Sequence, residues 1–104
     1  MVARLIVRSL VASGVRVAVM KPVAAGSVLT AAGHRNEDAV GLMADSNVVM
    51  PYATVNPYCL PAPVSPHLAA RDVGVTVELP HLQACFASLA AAADCVIVEG
   101  AGRQ

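Results

Sequence analysis

Charge is scarce in this chain of 104 residues: 13% are Asp, Glu, Lys or Arg, about half the quarter usual in a soluble domain. Aromatics are scarcer still, at 3% with no tryptophan. The seven positive and seven negative side chains cancel, which removes the electrostatic case for nucleic acid or an anionic membrane surface. Cys59, Cys85 and Cys95 are odd in number and nowhere form C-x-x-C. Neither a disulfide framework nor a zinc site is indicated; Cys85 and Cys95 read as small core residues, and a reduced, cytoplasmic compartment is the expectation. His34, His67 and His81 show no metal-ligand spacing and read as loop or cap residues. No apolar run reaches the length of a membrane span. With 57% hydrophobic residues, mostly Ala and Val, too little polar surface remains to cover a free-standing domain. A piece of something larger, or an obligate oligomer, is expected.

Lysine is the rarest charge of all. Lys21 stands alone beside six arginines, Arg4, Arg8, Arg16, Arg35, Arg71 and Arg103. A compact ammonium with three rotatable donors suits phosphate or a nascent anion, whereas arginine is a planar fork. The plain alternative is a solvated lysine at a strand end. Acids are missing from the first 35 residues, which hold four arginines. That resembles a transit peptide, yet Val2, Leu5, Ile6 and Leu10 share one helical face with Arg4 and Arg8 off it, and a docked helix explains the pattern equally well.

Periodicity and punctuation then give a repeated helix-then-strand order. A helix over 2–13 stops at Gly14, and an apolar strand follows over 16–21. Residues 22–35 read as a small-residue loop. Asn36 caps a short helix with Glu37 and Asp38 in its first turn. The stretch 45–64 carries Pro51, Pro57, Pro61 and Pro63 and reads as a long irregular connection, a kind of loop that is usually functional. Ser65-Pro66 opens a further helix ended by Gly74. An alanine-rich helix over 80–93 presents Leu82, Cys85, Phe86 and Leu89 as its buried stripe, and Cys95 to Glu99 forms a second buried strand before Gly100-Ala101-Gly102. Helices between apolar strands imply a parallel α/β sheet, and ligands in such sheets bind beyond the carboxyl ends of the strands. Lys21 and Glu99 end the two strands, so one crevice would hold both.

That set offers an ammonium, carboxylates at a helix start and a strand end, and glycine-rich backbone. Magnesium takes one or two protein carboxylates and completes its shell with water and phosphate. Asp38 and Glu99 are the candidate pair. Each has a plainer reading, Asp38 as an acid at a helix dipole and Glu99 as a solvated strand end.

The stretches Met20-Lys21-Pro22-Val23-Ala24, Asn36-Glu37-Asp38-Ala39, Tyr52-Ala53-Thr54-Val55-Asn56-Pro57-Tyr58, Ser65-Pro66-His67 and Val98-Glu99-Gly100-Ala101-Gly102 together resemble the dethiobiotin synthetases. Lys-Pro-Val and Val-Glu-Gly-Ala-Gly are shared with related P-loop synthetases, while the Tyr-to-Tyr stretch is the most particular to this family. The resemblance implies a parallel-sheet P-loop NTPase-like three-layer α/β fold, present only in part. It also implies ATP- and Mg²⁺-dependent carboxylation and ring closure of 7,8-diaminononanoate with CO₂, as a cytoplasmic homodimer. Carried over by position, Lys21 would be catalytic and bind substrate; Ser27, two residues past the position where the family often has a serine, is the candidate to bind substrate in its place. Asp38 and Glu99 would hold Mg²⁺, and with Gly100, Ala101 and Gly102 would contact the nucleotide.

Two departures qualify the match. Ala25 stands where the family often has a serine, and no G-x-x-x-x-G-K-[ST] occurs anywhere. The expectation is therefore an internal fragment, one partial domain over 1–104, inactive alone for want of the backbone amides of a phosphate loop. A sibling P-loop synthetase and a non-catalytic partner-binding fragment remain the alternatives.

Overall fold

The computed structural model describes residues 2–31, 33–60 and 77–100. The helix expected from Ser65-Pro66 to Gly74, together with His67, Arg71, Ala101, Gly102 and Arg103, lies outside them. In chain order the elements are α1 (Val2–Ala12), β1 (Val17–Met20), β2 (Val23–Ala25), β3 (Val28–Thr30), β4 (Gly33–Arg35), α2 (Glu37–Asp45), α3 (Tyr52–Val55), β5 (Tyr58–Leu60), α4 (Leu79–Ala92) and β6 (Cys95–Val98). Among these residues no helix is long and apolar enough to cross a membrane.

α1 ends as Gly14 suggested. The Gly14 N–H donates to Val11 O and the Val15 N–H to Leu10 O, the paired bonds of a Schellman turn. They require the left-handed backbone that Gly14 adopts at φ +87°. β1 follows, buried at every residue, and pairs in parallel with β6, Val17 opposite Cys95 and Met20 opposite Val98. The parallel α/β arrangement read from the sequence is the one observed. Asn47 closes the start of β1, accepting from Val17 N–H at 2.8 Å and donating to Val15 O at 2.9 Å. Val7, Val17, Val19, Leu42, Val55 and Leu89 form the fully buried core around this pair.

α1 is a docked helix, but on a different stripe from the one expected. Val7 is buried, with Ala3, Leu10 and Val11 packed around the core, while Val2, Leu5 and Ile6 are exposed. Arg4 and Arg8 fix the rotation: their Nε atoms donate to Asp45 on α2 at 2.6 and 3.0 Å. The hydrogen bond from Arg4 outweighs the opposing effect of burial and, with the weaker one from Arg8, holds the Asp45 carboxyl below its ordinary range.

Three further readings need correction. Residues 22–35 contain β2, β3 and β4 rather than a loop, with β3 and β4 paired antiparallel, and this puts His34 on a strand. The proline-rich connection contains α3 and β5, and β5 pairs in parallel with β2. Pro22 lacks the N–H that would continue the β1 ladder, so the chain changes partner there and Pro22 O accepts from Tyr58 N–H at 3.2 Å. On α4, Cys85 and Leu89 are buried but Phe86 is 44% exposed. That helix is apolar on most sides, so its pattern alone does not select the inward face.

Candidate active site

Lys21 is the first residue past the end of β1. Its N–H donates to Val55 O at 2.8 Å, and its carbonyl accepts from Asn56 Nδ2 at 2.6 Å. Across the pair, Glu99 N–H donates to Met20 O at 2.9 Å. The parallel register therefore delivers Lys21 and Glu99 side by side at the carboxyl ends of their strands. The Lys21 ammonium donates to Glu99 Oε1 at 3.1 Å and to Gly100 O at 2.8 Å. The Lys21 side chain is 4% exposed and that of Glu99 19%. A cation this deep needs partners to offset its lost hydration. Among the described residues two of its three donors are taken, which leaves one for an oxygen arriving at the strand ends.

Ser27 and Asp38 sit in a second place. A depression of about 310 Å³ is lined by Ala25, Gly26, Ser27, Val28, Asn36, Glu37 and Asp38. Ser27 Oγ lies 3.2 Å from His34 Nδ1, and Asp38 is exposed in the first turn of α2. Asn36 caps that helix as its type and position suggested, its Oδ1 accepting from Ala39 N–H at 3.1 Å while Nδ2 donates to Gly26 O at 2.8 Å.

A buried polar chain joins the two places. The Tyr52 hydroxyl donates to Asn56 Oδ1 at 2.6 Å and accepts from Asn36 N–H at 2.8 Å. Burial pushes its pKa up to about 12, so it keeps the proton it donates. Arg35 lies 4.6 Å from the centre of the same ring, a cation–π distance. Sequence reasoning singled out this stretch by resemblance yet gave Tyr52 and Asn56 no role. The available signal was their i, i+4 spacing between Pro51 and Pro57, which one helical turn converts into contact.

Among the described residues no group of three or more His, Cys, Asp and Glu side chains assembles. A magnesium ion asks for less, one or two carboxylates with phosphate and water. Asp38 is exposed, and Lys21 occupies only Oε1 of Glu99. Hard oxygen donors of this kind suit that ion, and Asp38 and Glu99 each offer one, Asp38 in the depression beside Ser27 and Glu99 beside Lys21. Gly100 offers a carbonyl already turned to Lys21; Ala101 and Gly102 lie outside the described residues.

Comparison with known proteins adds the family. The model of a family described as AAA domain matches residues 1–104. The ATP-dependent dethiobiotin synthetase BioD of Xanthomonas oryzae pv. oryzae (strain PXO99A) is 57% identical over 83 residues, 80% of this chain and 37% of its own length. The protein of the same name from Xanthomonas euvesicatoria pv. vesicatoria (strain 85-10) is 50% identical over 97 residues, covering 93% of this chain and 43% of its own. That of Xylella fastidiosa (strain 9a5c) is 51% identical over 89 residues, or 86% and 39%. The chain spans about two fifths of the length of these curated relatives. The family model covers the same stretch in which parallel strands bring Lys21 and Glu99 together, and this P-loop NTPase-like α/β chain belongs to the AAA domain family.

Proposed function

We propose that this chain supplies the cation, the magnesium carboxylates and part of the substrate pocket of an ATP-dependent cyclo-ligase, a dethiobiotin synthetase of biotin biosynthesis. The substrates would be 7,8-diaminononanoate, CO₂ and ATP. The observation that carries this reading is the buried Lys21 ammonium between Glu99 and Gly100 at the carboxyl ends of a parallel strand pair.

The chemistry divides into three steps. One amine of the diamine adds to CO₂ and loses a proton, giving a carbamate. A carbamate oxygen attacks the γ-phosphorus of ATP and ADP departs. The second amine then attacks the carbonyl carbon; phosphate leaves with the electrons of the C–O bond, a proton is lost, and the urea ring closes. Negative charge gathers on the carbamate and on the transferring phosphoryl group, so what the reaction asks of the protein is positioning and neutralisation. Lys21 meets both with its remaining donor. Ser27 turns its hydroxyl from His34 to the substrate in the depression beside Asp38. Magnesium, held by Asp38 and Glu99, would offset charge on the ATP phosphates. Backbone from Gly100 to Gly102 would border the nucleotide. Family likeness extends the reading to a cytoplasmic homodimer, in keeping with apolar side chains left outside, such as Val2 and Leu29 at 72% and 71% exposure.

These 104 residues contain no G-x-x-x-x-G-K-[ST], and on this reading they bind Mg-ATP weakly and do not turn over alone. The test is a chimera in which a relative's phosphate loop and remaining segments complete the chain. It should form ADP only with diamine, CO₂ and Mg²⁺ all present. A folded chimera whose ATP hydrolysis ignores diamine and CO₂ would contradict the proposal.

A further inference from the structure

We propose that Tyr52 and Asn56 are positioning residues for the Lys21 site, a hydrogen-bonded strut that sets the lysine's peptide unit against the start of α2; the inference rests on the reading of Lys21 given above. α3 is a single turn of four residues between Pro51 and Pro57. Its contacts nevertheless reach both halves of the site. Asn56 is 2% exposed, and its amide is fully used: Nδ2 donates to Lys21 O at 2.6 Å and to Tyr58 O at 3.3 Å, while Oδ1 accepts from Tyr52 at 2.6 Å.

The consequence for Lys21 is specific. Its N–H is held by Val55 O and its C=O by Asn56, so the root of the side chain is gripped on both sides of Cα. A buried ammonium on a four-carbon stem can meet Glu99 and Gly100 together only from a fixed root. At the other end, the Tyr52 hydroxyl accepts from Asn36 N–H. Asn36 in turn caps the helix bearing Asp38 and holds Gly26 O beside Ser27. One hydroxyl is thus two hydrogen bonds from Lys21 O and one from the residue that starts α2. Apolar side chains would fill the same space without the cost of burying polar atoms. What the polar pair adds is a fixed distance between two groups that must act on one substrate.

The test uses Tyr52→Phe, which deletes the hydroxyl and keeps the ring under Arg35, and Asn56→Ser, whose side chain is too short to reach Lys21 O. The control is Val7→Ala, a buried change on α1, compared at matched distance below Tm. Lys21 is the sole lysine, so its acylation by a water-soluble ester can be followed on the chain itself by peptide mass spectrometry. In the chimera described above, Tyr52→Phe should lower kcat about 10- to 100-fold with KM for ATP nearly unchanged, the scale seen when outer partners of a site are removed. Either variant should also change Lys21 acylation by several-fold, while Val7→Ala alters neither quantity. Should Tyr52→Phe and Asn56→Ser both track Val7→Ala in acylation and kcat, the strut is only structural and the proposal is overturned. If Lys21→Ala left turnover intact, the functional reading would fail separately, and the acylation rates would still decide whether the strut positions Lys21.

Discussion

Lys21 and Glu99 should respond unequally to neutralisation, because burial differs across the pair. The Lys21 side chain is 4% exposed and that of Glu99 19%. Glu99→Gln leaves an amide oxygen near the ammonium but strips its counter-charge, so a buried cation loses its main compensation. Removing one partner of a fully buried pair costs about 3–5 kcal/mol. Gly100 O still accepts from Lys21 at 2.8 Å and Glu99 is partly solvated, so about 1–3 kcal/mol is the reasonable discount here. Lys21→Met removes the buried charge and fills its volume with an unbranched apolar chain, leaving Glu99 to recruit water. Neutral or stabilising outcomes belong to replacement of both partners; here Glu99 is left unpaired but can be hydrated, so a loss of about 1 kcal/mol, smaller than for Glu99→Gln, is expected. Urea unfolding of the three chains, compared at constant m-value, gives both differences. The two variants then separate stability from function: Lys21→Met should fold well and abolish any activity the site supports, as expected where a site is held at the expense of stability. If Lys21→Met is more destabilising than Glu99→Gln, the pair is structural and the argument from unequal burial is wrong.

Two further outcomes follow from the packing. The guanidinium partners hold the Asp45 carboxyl below its ordinary range, so its contribution is present above the unfolded-state value and lost as pH falls through the lower folded-state one. Unfolding from pH 6 down into the acid should show the variant Asp45→Asn converging on the parent at the lowest pH; parallel curves would exclude the linkage. Leu89 is fully buried and Phe86 is 44% exposed. Leu89→Ala should therefore cost about 2–5 kcal/mol, and Phe86→Ala markedly less in thermal or urea unfolding. The reverse order would mean that α4 faces the other way.

Much of the frame was legible in the sequence because its signals are local. Gly14 marks a left-handed turn, Asn36 a cap, and two unbroken apolar runs mark β1 and β6, each through neighbours within four residues. β6 is not the buried strand expected, however, being half-buried at Cys95 and 49% exposed at Val98. Placing Lys21 beside Glu99 needed only the rule that helices between apolar strands imply parallel pairing. β2 and β5 were not legible. Three-residue strands such as Val23-Ala24-Ala25 and Tyr58-Cys59-Leu60 carry too few residues for a period, and their pairing spans a proline-rich connection that reads as irregular. The inward face of α1 was misread because Val2, Leu5 and Ile6 make an apolar stripe as plausible as Ala3, Val7 and Leu10. The observed face is the one that packs Val7 into the core and pairs Arg4 and Arg8 with Asp45, about 40 residues away, contacts that no local pattern displays. The Tyr52–Asn56 strut was hidden for a related reason: its targets are main-chain atoms of Lys21 and Asn36, which leave no mark in side-chain patterning.

On the proposed reading, Lys21 neutralises charge developing on a carbamate and a transferring phosphoryl group. The most direct measurement is single-turnover ADP formation by the completed chimera carrying Lys21→Ala or Lys21→Arg, with diamine, CO₂ and Mg-ATP saturating. Lys21→Ala should slow the step by about 10²–10³-fold, the scale of a lost oxyanion donor. Lys21→Arg should remain poor, because a planar fork does not reproduce a compact ammonium between Glu99 and Gly100. An unchanged rate in Lys21→Ala would contradict the account and return this lysine to a structural role at the end of β1.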